Sequence, residues 1–173
     1  ILMTNFLVVI EDNRGSVHRM SKEAIAGAQN LDGNVTALVL GANAESLAQE
    51  LSSVEIDKTL IVNHDMVLTY NSDGYTEVVT KVIQSIDPDV IIAGHSYQTR
   101  DFMPRVSARL DIPFIPDVTM VDGDNYTKQV LNAKLNCTIS SSSEKKILSF
   151  QSACFSEEDM QSGSSNSQTI DID

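Results

Sequence analysis

Short blocks of apolar residues recur along the chain, and most are followed by a stretch with helical spacing. Residues 6–10 (FLVVI) form a continuous apolar run, the pattern of a strand buried on both faces. Ser21 opens a helical stretch (SKEAIAGAQNL) with Ile25, Ala28 and Leu31 on one face, and Asp32-Gly33 stops it. Residues 35–40 (VTALVL) predict a second buried strand, residues 44–51 (AESLAQEL) a second helix, and residues 59–62 (TLIV) a third strand. Residues 75–86 place Val78, Val79, Val82, Ile83 and Ile86 on one side of a third helix, which Asp87-Pro88-Asp89 ends. Residues 90–93 (VIIA) follow as a strand, then a helix over 101–110 and a strand near 115–121.

Strands alternating with helices imply βαβ units, a parallel sheet and right-handed crossovers. The expected fold is α/β: a doubly wound, mainly parallel sheet with helices on both faces, in three Rossmann-like layers. After Val121 the rhythm changes. Residues 126–139 alternate with period two between turns at 122–125 and 140–146, and residues 147–155 return as a strand. This predicts a C-terminal β-hairpin or meander attached to the sheet. The acidic, serine-rich text after Phe155 (SEEDMQSGSSNSQTIDID) reads as a flexible linker, so the domain is expected to occupy residues 1–155 and the linker 156–173.

Composition narrows the function. The 173 residues are 42% hydrophobic and carry 24 Asp plus Glu against 12 Lys plus Arg, a net charge of −12. A chain of this size can bury a core without staples. Its charge opposes binding to a nucleic-acid backbone or to anionic lipid. With no Trp and few aromatic residues, base-stacking platforms are also unsupported. Cys137 and Cys154 lack metal-ligand spacing and are expected to be buried thiols in a reducing compartment. No cationic stretch precedes the first apolar run, so neither a signal peptide nor a transit peptide is read there. Ile1 and Leu2 are expected to precede a natural start at Met3. No apolar run is long enough to cross a membrane. The expected compartment is the cytoplasm.

A doubly wound sheet binds ligands beyond the carboxyl ends of its strands, which singles out residues 11–16, 41–45, 63–65 and 94–101. These contain no dinucleotide fingerprint and no phosphate-binding loop. A free-standing adenine-nucleotide module of the universal-stress type would need spaced glycines after the fourth strand, where Gly94 stands alone. His95, Ser96 and Asp101 lie close in sequence but have no nucleophile-elbow context. His18 and His64 are isolated. No catalytic, cofactor-binding or metal-ligating residue is assigned. The unusual constellation is Arg100, Arg105 and Arg109, the last two sharing a helix face. They predict either local salt bridges, to acids such as Asp101 and Asp111, or contact with another domain or subunit.

The segment TRDFMPRVSARLDIPFIPDVTMV (99–121) resembles the G-R-D-L-x-P-R-x-A-A-x-L-x-x-P-x-x-S-D-V-T text of electron transfer flavoprotein alpha subunits. Arg100, Asp101, Pro104, Arg105, Ala108, Leu110, Pro113, Asp117, Val118 and Thr119 all match. SKEAIAGAQNLDGNVTALVLG, DPDVIIAG and the later KQVLNAKLNCTI and KKILSFQSACF stretches are also similar to that family. Departures are Thr99 in place of a glycine, and loss of the proline and glycine of an R-P-x-x-A-G-K hairpin motif at 128–134.

The resemblance implies a fold like that of adenine-nucleotide alpha hydrolases. It further implies the amino-terminal domain of an alpha subunit, an electron carrier rather than an enzyme, without the carboxyl-terminal domain that holds FAD. Such heterodimers, of alpha and beta subunits, accept electrons from acyl-CoA or other dehydrogenases, as in fatty acid β-oxidation, and pass them to a quinone oxidoreductase. FAD is then expected in the full-length complex and not in this chain, and AMP only in the beta subunit. This domain would be scaffold and subunit interface, with Arg100, Arg105 and Arg109 as interface candidates. A bacterial cytoplasmic setting is preferred to the mitochondrial matrix.

Overall fold

The computed structural model describes residues 3–172; Ile1 and Leu2, expected to precede a start at Met3, and Asp173 lie outside them. In chain order the elements are β1 (Thr4–Val9), a small hairpin of β2 (Asp12–Asn13) and β3 (Ser16–Val17), α1 (Arg19–Gln29), β4 (Gly33–Leu40), α2 (Ala44–Leu51) and β5 (Lys58–Val62). They continue with α3 (Ser72–Ile86), β6 (Val90–Gly94), α4 (Tyr97–Leu110), β7 (Phe114–Asp122), β8 (Asn125–Val130), β9 (Leu135–Ser140), β10 (Lys146–Phe150) and β11 (Asn166–Thr169). Apart from the β2–β3 hairpin, the strands form one sheet in the order β11-β5-β4-β1-β6-β10-β7-β8-β9. The expected mainly parallel, three-layer α/β fold is the one observed.

The alternation within β1 explains the layers. Phe6, Val8 and Ile10 join one apolar cluster, with Ile25 of α1 and Leu47 of α2. Leu7 and Val9 join the other, with Val78 and Val82 of α3 and Phe102 and Val106 of α4. A strand buried on both faces reads as a continuous apolar run for this reason.

Two helices begin earlier than their apolar spacing suggests, because their first turns are polar and are marked by caps. The Asn71 side chain accepts from the Gly74 N–H at 2.7 Å at the head of α3. Ser96 does the same for Thr99 at 3.1 Å at the head of α4. Both helices stop at an aspartate in the left-handed region, Asp87 (φ 51°) and Asp111 (φ 53°).

Two expectations need correction. Residues 147–150 do not extend a meander. β8 and β9 do form an antiparallel hairpin beyond β7, but β10 leaves it and inserts between β6 and β7, parallel to both. Its side chains are all buried, as a central strand requires, whereas β9 is almost wholly exposed. The stretch after Phe155 also takes up structure. Gln29 accepts the Gln161 N–H at 2.9 Å, the Gly163 N–H reaches the Ser53 carbonyl at 3.0 Å, and β11 pairs in parallel with β5 as an edge strand. Ile170 and Ile172 then pack against the α3–α4 side of the core.

Candidate functional site

The strand order reverses between β1 and β6, where β1 leads by α1 to β4 on one side and β6 lies on the other. A ligand crevice would open beyond the carboxyl ends of these two strands. Here polar side chains close it. The Ser96 hydroxyl donates to Glu11 Oε2, while the Glu11 N–H donates to Ser21 Oγ at 2.9 Å. Ser21, Ser96 and Thr99 are all buried. The wall behind them is Gly94, where an added Cβ would stand 2.6 Å from Met20 Cβ and 2.8 Å from the Met20 carbonyl. Gly94 is a glycine because the first turn of α1 packs on it, not because phosphate approaches it.

The charge at this mouth is negative. Asp12 receives the Gly15 N–H at 2.6 Å and the Asn43 amide at 2.7 Å, and Asp101 receives the Tyr70 hydroxyl at 2.7 Å. Burial pushes the Tyr75 phenol up to about 12, and the nearby Asp12 and Glu11 carboxylates push it the same way. Burial and the bond to Asp101 also raise Tyr70. A diphosphate needs free N–H groups and cations. A mouth of carboxylates with a brace across it suits neither a nucleotide nor the pyrophosphate of FAD.

His95, Ser96 and Asp101 do not converge, for each is bonded elsewhere. His95 Nδ1 lies 2.8 Å from Ser149 Oγ, and the His95 backbone N–H donates to the Phe150 carbonyl at 2.8 Å. Ser149 Oγ also accepts the Asp117 N–H at 3.2 Å, which ties the ring, the hydroxyl and the β7 backbone together. Nε2 is 4.0 Å from Asp117 Oδ1. Asp117 adopts φ 63° where β7 bulges, which turns its carboxylate toward the ring. Burial holds the His95 pKa below its ordinary value, although Asp117 pulls it up. This trio resembles hydrolytic machinery only in composition: Ser149 is 0% exposed and no substrate carbonyl could reach it. His18 and His64 are caps whose Nδ1 atoms accept N–H groups at 3.1 Å. Among the described residues no cluster of His, Cys, Asp or Glu could hold a metal ion.

The three arginines divide. Arg105 binds Asp73 at 2.7 Å and Arg109 binds Glu77, so an i,i+4 pair on α4 meets an i,i+4 pair on α3. Arg109, with Lys81, holds the Glu77 carboxyl below its usual range. The salt-bridge expectation is met, but with Asp73 and Glu77 as partners rather than Asp101 and Asp111. Among the described residues Arg100 makes no ion pair, and its guanidinium lies 5.4 Å from the centroid of the Tyr97 ring. The thiols divide too. Cys154 is half-buried and its pKa is pushed by burial up to about 11, whereas Cys137 lies exposed on β9, contrary to expectation. Sequence reasoning missed the Glu11–Ser96 brace. The matched 73/77 and 105/109 spacings were the signal available for the helix pairing.

Among the described residues no helix is long and apolar enough to cross a membrane. The profile of the electron transfer flavoprotein domain matches residues 6–173. The electron transfer flavoprotein subunit alpha of Bacillus subtilis is 34% identical over 134 residues, covering 74% of this chain and 41% of the relative. The subunit of the same name from Clostridium acetobutylicum is 28% identical, covering 72% of this chain and 38% of the relative. A probable mitochondrial alpha subunit from Saccharomyces cerevisiae is 28% identical, covering 95% of this chain and 49% of the relative. The chain thus spans less than half the length of these relatives. It belongs to the electron transfer flavoprotein family, where it corresponds to the amino-terminal domain of an alpha-type subunit.

Proposed function

We propose that this chain is the scaffold and subunit-interface domain of an electron transfer flavoprotein, pairing with a beta-type subunit while FAD is held by other residues of the complex. The observation that carries this reading is the closed crevice. Glu11 and Ser96 bridge the switch point, Met20 packs on Gly94, and carboxylates line the mouth. A domain with its ligand crevice filled acts through its surfaces. In the full assembly, electrons would come from a dehydrogenase, such as an acyl-CoA dehydrogenase, and leave to a quinone oxidoreductase. This chain positions the partners and takes no electron itself. AMP would belong to the beta subunit, and the bacterial cytoplasm is the proposed setting.

The test is calorimetric titration of the isolated chain with FAD, AMP and ATP in turn. The scaffold reading expects no saturable binding of any of them. Stoichiometric uptake of AMP or ATP would instead support a free-standing nucleotide module, and uptake of FAD would place the flavin on this domain.

A further inference from the structure

β9 is an open edge of the sheet. Among the described residues it pairs with β8 alone, in an unbroken register from Asn125–Ser140 to Val130–Leu135. In an antiparallel ladder only alternate residues exchange bonds with the neighbour, so the other N–H and C=O groups of Leu135–Ser140 point away from β8. Proteins that stay single blunt such an edge with shortness, charge, proline or a bulge. The opposite edge is short: β11 has four residues, and Asp171 follows soon after it. β9 has none of these devices. Its six residues, LNCTIS, include no charge and no proline, and its register with β8 does not shift.

The hairpin that carries this edge differs in charge from the rest of the molecule. In a chain with 24 acids, no Asp or Glu lies between Asp124 and Glu144. The charges there are Lys128 and Lys134, and Leu131 and Leu135 stand 68% and 57% exposed. Two copies of a chain with a net charge of −12 repel each other across most of their surface. At β9 they can meet without bringing carboxylates together.

We propose that β9 pairs antiparallel with β9 of a second copy of this chain, about a two-fold axis through Cys137. A two-fold contact uses the same patch on both copies, so the partner face is this strand itself. Side chains select the register. Thr138 shares a face with Thr127, whose hydroxyl it meets at 3.3 Å, while Ile139 shares the other with Tyr126, on the α1–α2 side. By alternation Leu135 and Cys137 lie on the Ile139 face. An axis through a residue pairs like faces, and the helix layers of the two copies run on in line. An axis between residues would pair opposite faces. Through Cys137, the axis sets Leu135 against Ile139 of the second copy and Asn136 against Thr138, which covers the apolar pair. A six-residue edge is small beside the roughly 20–30 residues a side of a stable interface, so the pairing is reversible and is lost on dilution. It stands apart from the scaffold reading and does not depend on it.

Sedimentation equilibrium of the chain over a wide range of concentration tests the pairing, and a monomer–dimer equilibrium is the expected result. Asn136→Glu with Thr138→Glu sets acid against acid twice across the axis and should weaken the dimer at least tenfold. Asn136→Glu with Thr138→Lys sets acid against cation and should restore it. Both positions are exposed, and circular dichroism checks that each variant keeps the wild-type fold. The axis is read from Cys137 in a chain carrying Cys154→Ser. Opposed residues in an antiparallel pair stand about 4.5–5.5 Å apart at Cα, within the span of a disulfide. Copper(II) phenanthroline, taking two electrons as two thiols lose their protons, should therefore link the dimer through Cys137. A chain that stays monomeric, an acid–acid variant that dimerises like wild type, or a dimer that does not cross-link at Cys137 would overturn the proposal. So would a wild type that never self-associates while the acid–acid variant loses a beta-type subunit, a result that assigns the edge to that subunit instead.

Discussion

His95 carries the clearest pH signature at the scale of single residues. Burial lowers its pKa in the folded chain below the ordinary 6.5, so the unfolded chain takes up the proton first. Folding stability tied to His95 is therefore fully present above about pH 6.5 and declines as pH falls toward the folded value. Thermal unfolding of His95→Gln should show a flatter dependence through that acid window than wild type. Equal slopes would mean the ring is not held neutral by burial. Ser96 combines a helix cap with the bond to Glu11, so Ser96→Ala should cost about 1–3 kcal/mol. The urea midpoint should fall with the slope unchanged. Ala133 occupies φ 62° in a run with Leu131 and Asn132, where the family text has glycine. The left-handed conformation costs a non-glycine residue about 1–2 kcal/mol, and glycine's extra entropy returns about 0.5–1 kcal/mol of that. Ala133→Gly should therefore raise the melting temperature slightly, and a fall would show that this turn tolerates alanine without strain.

At the scale of elements, legibility followed the hydrophobic pattern and failed where backbone pairing or distant partners decide. β1, β4, β5 and β6 were readable because each is apolar on both faces. Residues 147–150 were readable as a strand, but their place between β6 and β7 depends on a crossing that local periodicity does not encode. β11 was invisible: Asn166–Thr169 is polar and exposed, and it pairs through backbone alone. Ile170 and Ile172 supply the burial that holds it. The arginine spacing was legible, but its partners were not, since Asp73 and Arg105 are brought together by helix packing across 32 residues. The Glu11–Ser96 brace spans 85 residues and has no local signal at all. Hydrogen exchange should find amides of β11 protected relative to the exposed residues 157–159, and equal exchange would show that this strand does not hold. The α3–α4 bridges are exposed, so Arg105→Ala and Arg109→Ala should lower stability only slightly, an effect lost at high salt. A large, salt-independent loss would mean these arginines do more than join two helices.

For the whole molecule, the proposed function rests on surfaces rather than on a pocket. Two apolar layers make a rigid sheet, the tail covers its β5 edge, and the ligand crevice is filled from within. What remains is a platform whose outer faces are free for a partner on an acidic chain. The measurement that tests this most directly is native mass spectrometry of the chain co-expressed with a beta-type subunit of the family in the presence of FAD. A one-to-one heterodimer with no flavin on this chain is the predicted result. A chain that stays apart from the beta-type subunit, or one that carries FAD on its own, would contradict it.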